Sequence, residues 1–345
     1  MPGKQSKLST IPAALRRTVD LAGDSTALIY DSDAISYSTL HRLVLNTSCG
    51  LSKLGIKSGD RVAFWIPNTS AYLVLYLACM QLNAIAVAVN TRFRGTEVAD
   101  IINRSGASSL ILWPLFRKVN FLEILSLIED SAFSRVESVI VYSEDEVGVP
   151  LKNQLPLSFR SKRIASYQEL INESGAEIDN SKADAGCNIF TTSGTTKAPK
   201  FVLHSQHSIT SHATEVWLNL EPLIKKEAFF HTLPFCGVFG FNHFSAALIG
   251  ARANVIQNAF DACEAVSLID LHKVHYISAT DDMLLALLQA DDRNPAMPSL
   301  TCCGYGAFNL PPEEITLRAR AKGLKLVGLY GMSEVQALFA RQEHT

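Results

Sequence analysis

The chain has 345 residues with a formal net charge of −2, 48% of them hydrophobic and 19% charged. That length exceeds one simple core and predicts an ordered, globular protein of at least two subdomains. The near-neutral charge excludes the basic footprint of a nucleic-acid or anionic-membrane binder, so neither is an expected partner.

In chain order, 37–54 places Leu40, Val44, Leu51 and Leu54 at helical spacing before Gly55, which predicts an amphipathic helix. A strand is expected at 61–66, ending at Pro67-Asn68, then a helix over 70–82 and a buried strand at 85–89. A helix over 96–104 stops near Gly106, and 110–113 and 138–142 read as strands with a helix between them. Residues 143–185 are more polar, hold Pro150, Pro156 and Gly175, and read as an excursion between subdomains. Beyond them the expected helices are 208–218, 239–249, 262–272, 281–290 and 313–321. The expected strands are 228–232, 253–257, 275–278, 300–303 and 324–329. This alternation predicts an α/β fold of parallel, doubly wound sheets flanked by helices, in two subdomains over 1–180 and 181–345.

Seven cysteines are scattered, with Cys302-Cys303 adjacent in an apolar run and no C-x-x-C spacing. An odd number without a framework predicts reduced, buried thiols and a cytoplasmic protein. The first thirty residues hold no continuous apolar stretch of the signal-peptide kind. The longest apolar run, at 71–80, is about half a membrane span, so no transmembrane segment is expected.

The chemistry concentrates in one loop. Between an apolar strand-like stretch and a helix-like stretch from Ser208 stand Thr191, Thr192, Ser193, Gly194, Thr195, Thr196, Lys197, Ala198, Pro199 and Lys200. Hydroxyls, backbone N–H groups and two ammonium groups in such a loop suit a polyanion, although a Ser/Thr run also makes an ordinary solvated linker. The loop is not of the Walker type, because no glycine precedes a Lys-Ser or Lys-Thr pair at the required spacing. It resembles the phosphate-binding signature T-S-G-T-T-G-x-P-K-G of the AMP-forming adenylate synthetases: acyl-CoA synthetases, luciferases and adenylation domains. Lys197 and Phe201 stand where that pattern carries glycine, which permits φ > 0 and close approach of a ligand.

Further segments resemble the same family in the same order. Residues 35–60 are similar to "TY-x-x-L … LG-x-x-x-GD", 61–68 to "RVA … PN", and 88–92 to "P-x-N-x-R". Residues 233–240 resemble "LP-F-F-H-x-x-G", Tyr305-Gly306-Ala307 the "GGA" turn, and Tyr330-Gly331-Met332-Ser333-Glu334 "YG-M-[ST]-E". The resemblance implies a carboxylic acid substrate, ATP, Mg²⁺ and CoA, with a carboxylate joined to AMP and then passed to a thiol. Positioning and charge stabilisation would carry such a reaction, since the substrate carboxylate itself attacks.

Residue by residue, the resemblance implies that Thr192, Ser193, Gly194, Thr195, Thr196 and Lys200 face the β- and γ-phosphates, joined by the unusual Lys197. Lys200, Ser333 and Glu334 take the catalytic roles, with Ser333 on the α-phosphate and Thr196 and Glu334 on the metal. Tyr330 and Gly331 cover the adenine on one side, and Gly306 and Ala307 on the other. Phe235, Gly237, Phe239, Gly240 and Gly304 face the acid. Gly237 stands where the pattern often has histidine, which leaves space at the acid end. Phe239, Phe241, Phe244 and Leu248 suggest a fatty, alicyclic or aryl acid. His204, His207, His231 and His243 read as packed or surface imidazoles, not bases.

Members of this family continue with a T-G-D aspartate, a hinge and a C-terminal lid domain carrying a lysine. None of these follows Glu334 here. The chain is therefore expected to be the N-terminal part of an acyl-CoA synthetase of fatty acid metabolism, poorly active by itself. The alternatives are a stand-alone adenylation domain loading a carrier protein and a non-catalytic acyl- or nucleotide-binding homologue. A homodimer is compatible with any of the three.

Overall fold

A computed structural model describes residues 8–144, 155, 159, 161–192, 199–224, 228–309 and 311–339. In chain order its strands are β1 (Thr26–Tyr30), β2 (Asp33–Ser36), β3 (Arg61–Trp65), β4 (Ile85–Ala88), β5 (Ser109–Leu112), β6 (Leu115–Phe116), β7 (Val119–Asn120), β8 (Ser138–Val141), β9 (Arg163–Ser166), β10 (Gly186–Thr192), β11 (Lys200–Ser205), β12 (Phe229–His231), β13 (Asn254–Ile256), β14 (Tyr276–Thr280), β15 (Cys302–Gly306), β16 (Leu326–Met332) and β17 (Gln336–Phe339). The chain divides into two compact units. The first comprises Met1–Ala13, Leu40–Pro67 and Ala71–Ser208; the second comprises Ala14–Thr39, Asn68–Ser70 and Ile209–Thr345.

The first unit holds a seven-stranded sheet in the order β11-β10-β4-β3-β5-β8-β9. All its pairings are parallel except β10 with β11. Strands such as β5 and β8 are buried along their whole length, as parallel interior strands must be, and their residues are apolar but for one serine each. Those serines, Ser109 and Ser138, satisfy one another by a hydroxyl hydrogen bond of 2.7 Å. The helix Ser70–Leu82 coincides with its expected span and is buried almost all round. Among the described residues no helix is long and apolar enough to cross a membrane. The helix Gly95–Ser105 ends at Gly106, whose φ of 66° lets its N–H reach back to Asn103 and Ile102 carbonyls.

Three features differ from expectation. The segment between β5 and β8 holds the expected helix, a short one at Phe121–Ser126, but an unexpected small β6–β7 hairpin precedes it. The polar stretch 143–185 contributes β9 and the helix Tyr167–Ile171. The first unit runs on to Ser208, beyond the expected division at 180, because β10 pairs in parallel with β4 and brings β11 along.

The second unit holds an eight-stranded sheet, β17-β16-β15-β14-β12-β13-β1-β2. Its interior pairings are parallel, and the antiparallel strands β2 and β17 finish its edges. The core packs Phe230, Val255, Ile277 and Cys303 of the sheet against Ile269, Leu284, Leu287 and Ile315 of the helices. None of the seven cysteines is in a disulfide, and six of them are buried; burial pushes the Cys302 thiol up to about 11.

Candidate active site

In the first unit β10 delivers Thr192 and β11 begins at Lys200, and these two residues are direct partners across the antiparallel pair. The Ser/Thr/Gly run thus joins two paired strands, and the expected helix, Gln206–Leu220, follows the second of them. Ser193, Gly194, Thr195, Thr196 and Lys197 lie outside the described residues. Thr191 fastens the entry strand, its hydroxyl donating to the Ala88 carbonyl of β4. Lys200 is exposed.

Arg104, not singled out in the sequence, holds the exit. Its guanidinium forms a fork onto Asp100, one turn back on the helix Gly95–Ser105, with N···O distances of 2.8–3.0 Å. The same group donates to the Pro199 carbonyl at 2.6 Å and covers the Phe201 ring at 4.4 Å from its centroid. Asp100 and Arg104 at i, i+4 were a readable sign of a pinned arginine, but nothing local named its target.

In the second unit β14, β15 and β16 run parallel, with Thr280 in register with Gly306. The carboxyl ends of such strands are where open α/β sheets present ligand-contacting groups. Gly306 ends β15 and is buried, and Ala307 follows it exposed. A Cβ at Gly306 would stand 2.7 Å from the Phe308 ring and 3.4 Å from the Phe239 ring, so a side chain there would displace the exposed Phe308 ring. Tyr330 and Gly331 lie on β16 facing Leu338 and Ala337 of β17, and 333–335 form the turn between them. Tyr330 is 66% exposed, so it is available as a ring surface and is not a core aromatic. Glu334 is exposed at the turn tip, and Ser333 is half-buried beside it.

The candidate acid-side residues surround a tight turn before the helix Val238–Ile249. Asn68 ties that turn: its amide donates to the Leu233 carbonyl and accepts from the Phe235 N–H, both at 2.8 Å. This gives the "PN" motif a physical role. Gly237 is the N-cap, and a Cβ there would meet only the Pro234 oxygen at 3.7 Å. At Gly240 a Cβ would stand 2.5 Å from both the Leu233 and Pro234 oxygens, so the helix approaches the turn more closely than any side chain permits. At Gly304 a Cβ would overlap the Tyr276 hydroxyl and stand 2.7 Å from Leu329.

Beneath these lies a buried polar group. His243 Nδ1 donates to the Phe239 carbonyl at 2.9 Å, which leaves Nε2 to accept from the Ser278 hydroxyl at 2.9 Å. The Tyr276 hydroxyl stands 3.0 Å from Ser278 Oγ and 3.2 Å from Nε2. Burial lowers the His243 pKa to about 4 and that of His231 to about 3. His231 Nε2 donates to Asn254 Oδ1 at 2.8 Å, so both are packed, neutral imidazoles.

Among the described residues no group of three or more His, Cys, Asp or Glu side chains is placed to hold a metal. Glu334 offers one exposed hard-oxygen donor, which fits Mg²⁺, an ion that keeps several waters and takes its other ligands from substrate phosphates.

The family described as AMP-binding enzyme matches residues 15–345. The chain belongs to that family. It is 27% identical over 341 residues to a Mycobacterium tuberculosis 3-[(3aS,4S,7aS)-7a-methyl-1,5-dioxo-octahydro-1H-inden-4-yl]propanoyl:CoA ligase, covering 96% of this chain and 63% of that protein. It is 23% identical to the medium-chain fatty-acid–CoA ligase of Escherichia coli, covering 92% and 54%. In fold it is similar to the anthranilate CoA ligase AuaEII, solved with anthranoyl-AMP, at a TM-score of 0.81, 19% identity and coverage of 94% and 60%. It is also similar to the Bacillus subtilis o-succinylbenzoate CoA synthetase, solved with its acyl-adenylate intermediate, at 0.75, 23% identity and the same coverage. The chain thus spans less than two thirds of the length of these relatives.

Proposed function

We propose that this chain is the adenylate-forming part of an AMP-forming acyl-CoA ligase. The carboxylate of an acid attacks the α-phosphorus of ATP, giving acyl-AMP and pyrophosphate. The thiol of CoA then attacks the acyl carbon and releases AMP. The observation that carries this reading is the hairpin in which Lys200 returns directly opposite Thr192 across the Ser/Thr/Gly run, in a member of the AMP-binding enzyme family.

Lys200 and the hydroxyls of Thr192, Ser193, Thr195 and Thr196 bind the β- and γ-phosphates, Gly194 lets the backbone approach them, and Lys197 adds a charge. Glu334 and Thr196 hold Mg²⁺, which neutralises charge on the phosphates when bound. Ser333 contacts the α-phosphate. Tyr330 with Gly331 and Gly306 with Ala307 bound the adenine. Phe235, Gly237, Phe239, Gly240 and Gly304 face the acid, which is fatty, alicyclic or aryl. Carboxylate-dependent exchange of pyrophosphate into ATP by the intact protein tests the first step. Nucleotide binding without any exchange would favour a non-catalytic homologue, and thioester formation with CoA rather than with a carrier protein decides the acceptor.

A further inference from the structure

We infer that Asp281 is a positioning residue that sets the adenine wall at the end of β15. This rests on the reading above for Gly306 and Ala307. Asp281 is the first residue of the helix Asp281–Ala290 and is fully buried. Its carboxylate receives three backbone N–H groups. Phe308 donates to Oδ2 at 2.9 Å, Asn309 donates to the same oxygen at 2.6 Å, and Asp282 donates to Oδ1 at 3.0 Å. Such charge-assisted bonds are short and strong, and burial raises the cost of breaking one.

Two of the three donors belong to the segment directly after Gly306 and Ala307. Those N–H groups are otherwise at the loose end of a strand, where the sheet ladder stops. The carboxylate replaces the ladder there. It also fixes where Phe308 stands. That side chain is 68% exposed, so packing alone does little to hold it, yet its ring lies over Gly306 and 6.4 Å from the Phe239 ring. Asp282 reinforces the tie from outside, accepting from the Asn309 amide side chain at 2.6 Å. The result is that residues 306–309 form a wall set before a nucleotide arrives, so binding does not have to order it.

The test compares the whole chain with its D281N variant, using AMP as the probe by calorimetry and amide hydrogen exchange on the free protein. Both wall N–H groups land on one oxygen, so the amide can keep its single oxygen beneath them; what it takes from these bonds is the carboxylate's charge, and its NH2 group then faces the Asp282 N–H that Oδ1 accepted. The expected result is AMP affinity weakened at least tenfold, with faster exchange confined to 306–309. Should D281N not fold, Asn309→Pro removes one of the same bonds from the donor side, and a weakening of at least threefold is expected. AMP affinity within twofold of the parent in the folded variant would overturn the inference. So would faster exchange spread over β14, β15 and β16, since that marks a purely structural carboxylate. If the parent chain itself binds no AMP, the adenylate reading fails, and the inference falls with it.

Discussion

The guanidinium of Arg104 lies 4.4 Å from the centre of the Phe201 ring while donating to the carbonyl of Pro199. Phe201, bulky where the family pattern has glycine, is therefore part of a clasp that ties the loop's exit to the helix Gly95–Ser105. Arg104→Ala removes a cation–π contact and a carbonyl hydrogen bond, together about 1–2 kcal/mol of local stability. Faster amide exchange is expected at Phe201 and Val202 with little change in the melting temperature. Unchanged exchange there would mean that β11 needs no such clasp.

Lys200 is the described lysine of the loop and the sharper probe of phosphate binding. Lys200→Ala is expected to weaken ATP binding by about 1–3 kcal/mol, the range for a charge-assisted hydrogen bond, and AMP binding much less. Titration of both nucleotides checks this, and equal losses for the two would remove Lys200 from the β- and γ-phosphates. Lys197→Gly separates obstruction from assistance: tighter ATP binding marks a lysine in the way, and weaker binding an added ligand.

Elements with a strong local signal were legible in the sequence. Ser70–Leu82 and Asp281–Ala290 fall on their expected spans because apolar density and a start signal agree in each. The strand β11 was not legible. Lys-Phe-Val-Leu-His-Ser follows a polar loop, and only pairing with β10 makes it a strand. The β1–β2 hairpin was missed too, since its turn relies on Asp31 at a φ of 54° and not on a glycine signal. At the site, the motifs placed the candidate residues, but their supports were invisible. Asp281 and Asp282 read alike as acids at a helix start, and only the arrival of residues 308 and 309 selects one for burial. Asn68 belongs to the "PN" motif, but its two hydrogen bonds to the turn 233–235 depend on a fold-level approach.

Gly240 and Gly237 are separable by size alone. A methyl group at Gly240 meets two backbone oxygens at 2.5 Å, and backbone cannot move aside as a side chain can. Gly240→Ala is expected to destabilise by about 1–3 kcal/mol or more, as overpacking does. Gly237, at φ −112° and with 3.7 Å of clearance, should accept alanine within about 1 kcal/mol, the cost of a poorer N-cap. Denaturant unfolding of both variants measures the difference, and equal losses would show that the close approach at Gly240 is relieved by movement of the turn.

The buried histidines give the protein a predictable acid limit. Burial first, opposed only partly by hydrogen bonds, lowers His243 from 6.5 to about 4 and His231 from 6.5 to about 3. Above pH 6.5 both are neutral whether the chain is folded or unfolded, and neither makes stability depend on pH. Below it the unfolded chain takes up two protons that the folded chain refuses. Stability must then fall as pH drops from about 6.5 towards 4, with a slope of up to about 1.4 kcal/mol per pH unit for each histidine. Below about 4 the His243 contribution levels off, while that of His231 continues to about 3. Denaturant unfolding between pH 7.5 and 4.5 measures the slope. His243→Gln, which retains a side-chain donor and an acceptor, should remove about half of it, because a neutral amide has no proton to gain. A slope unchanged by that substitution would mean that carboxylates, not the imidazole beside Ser278 and Tyr276, set the acid limit.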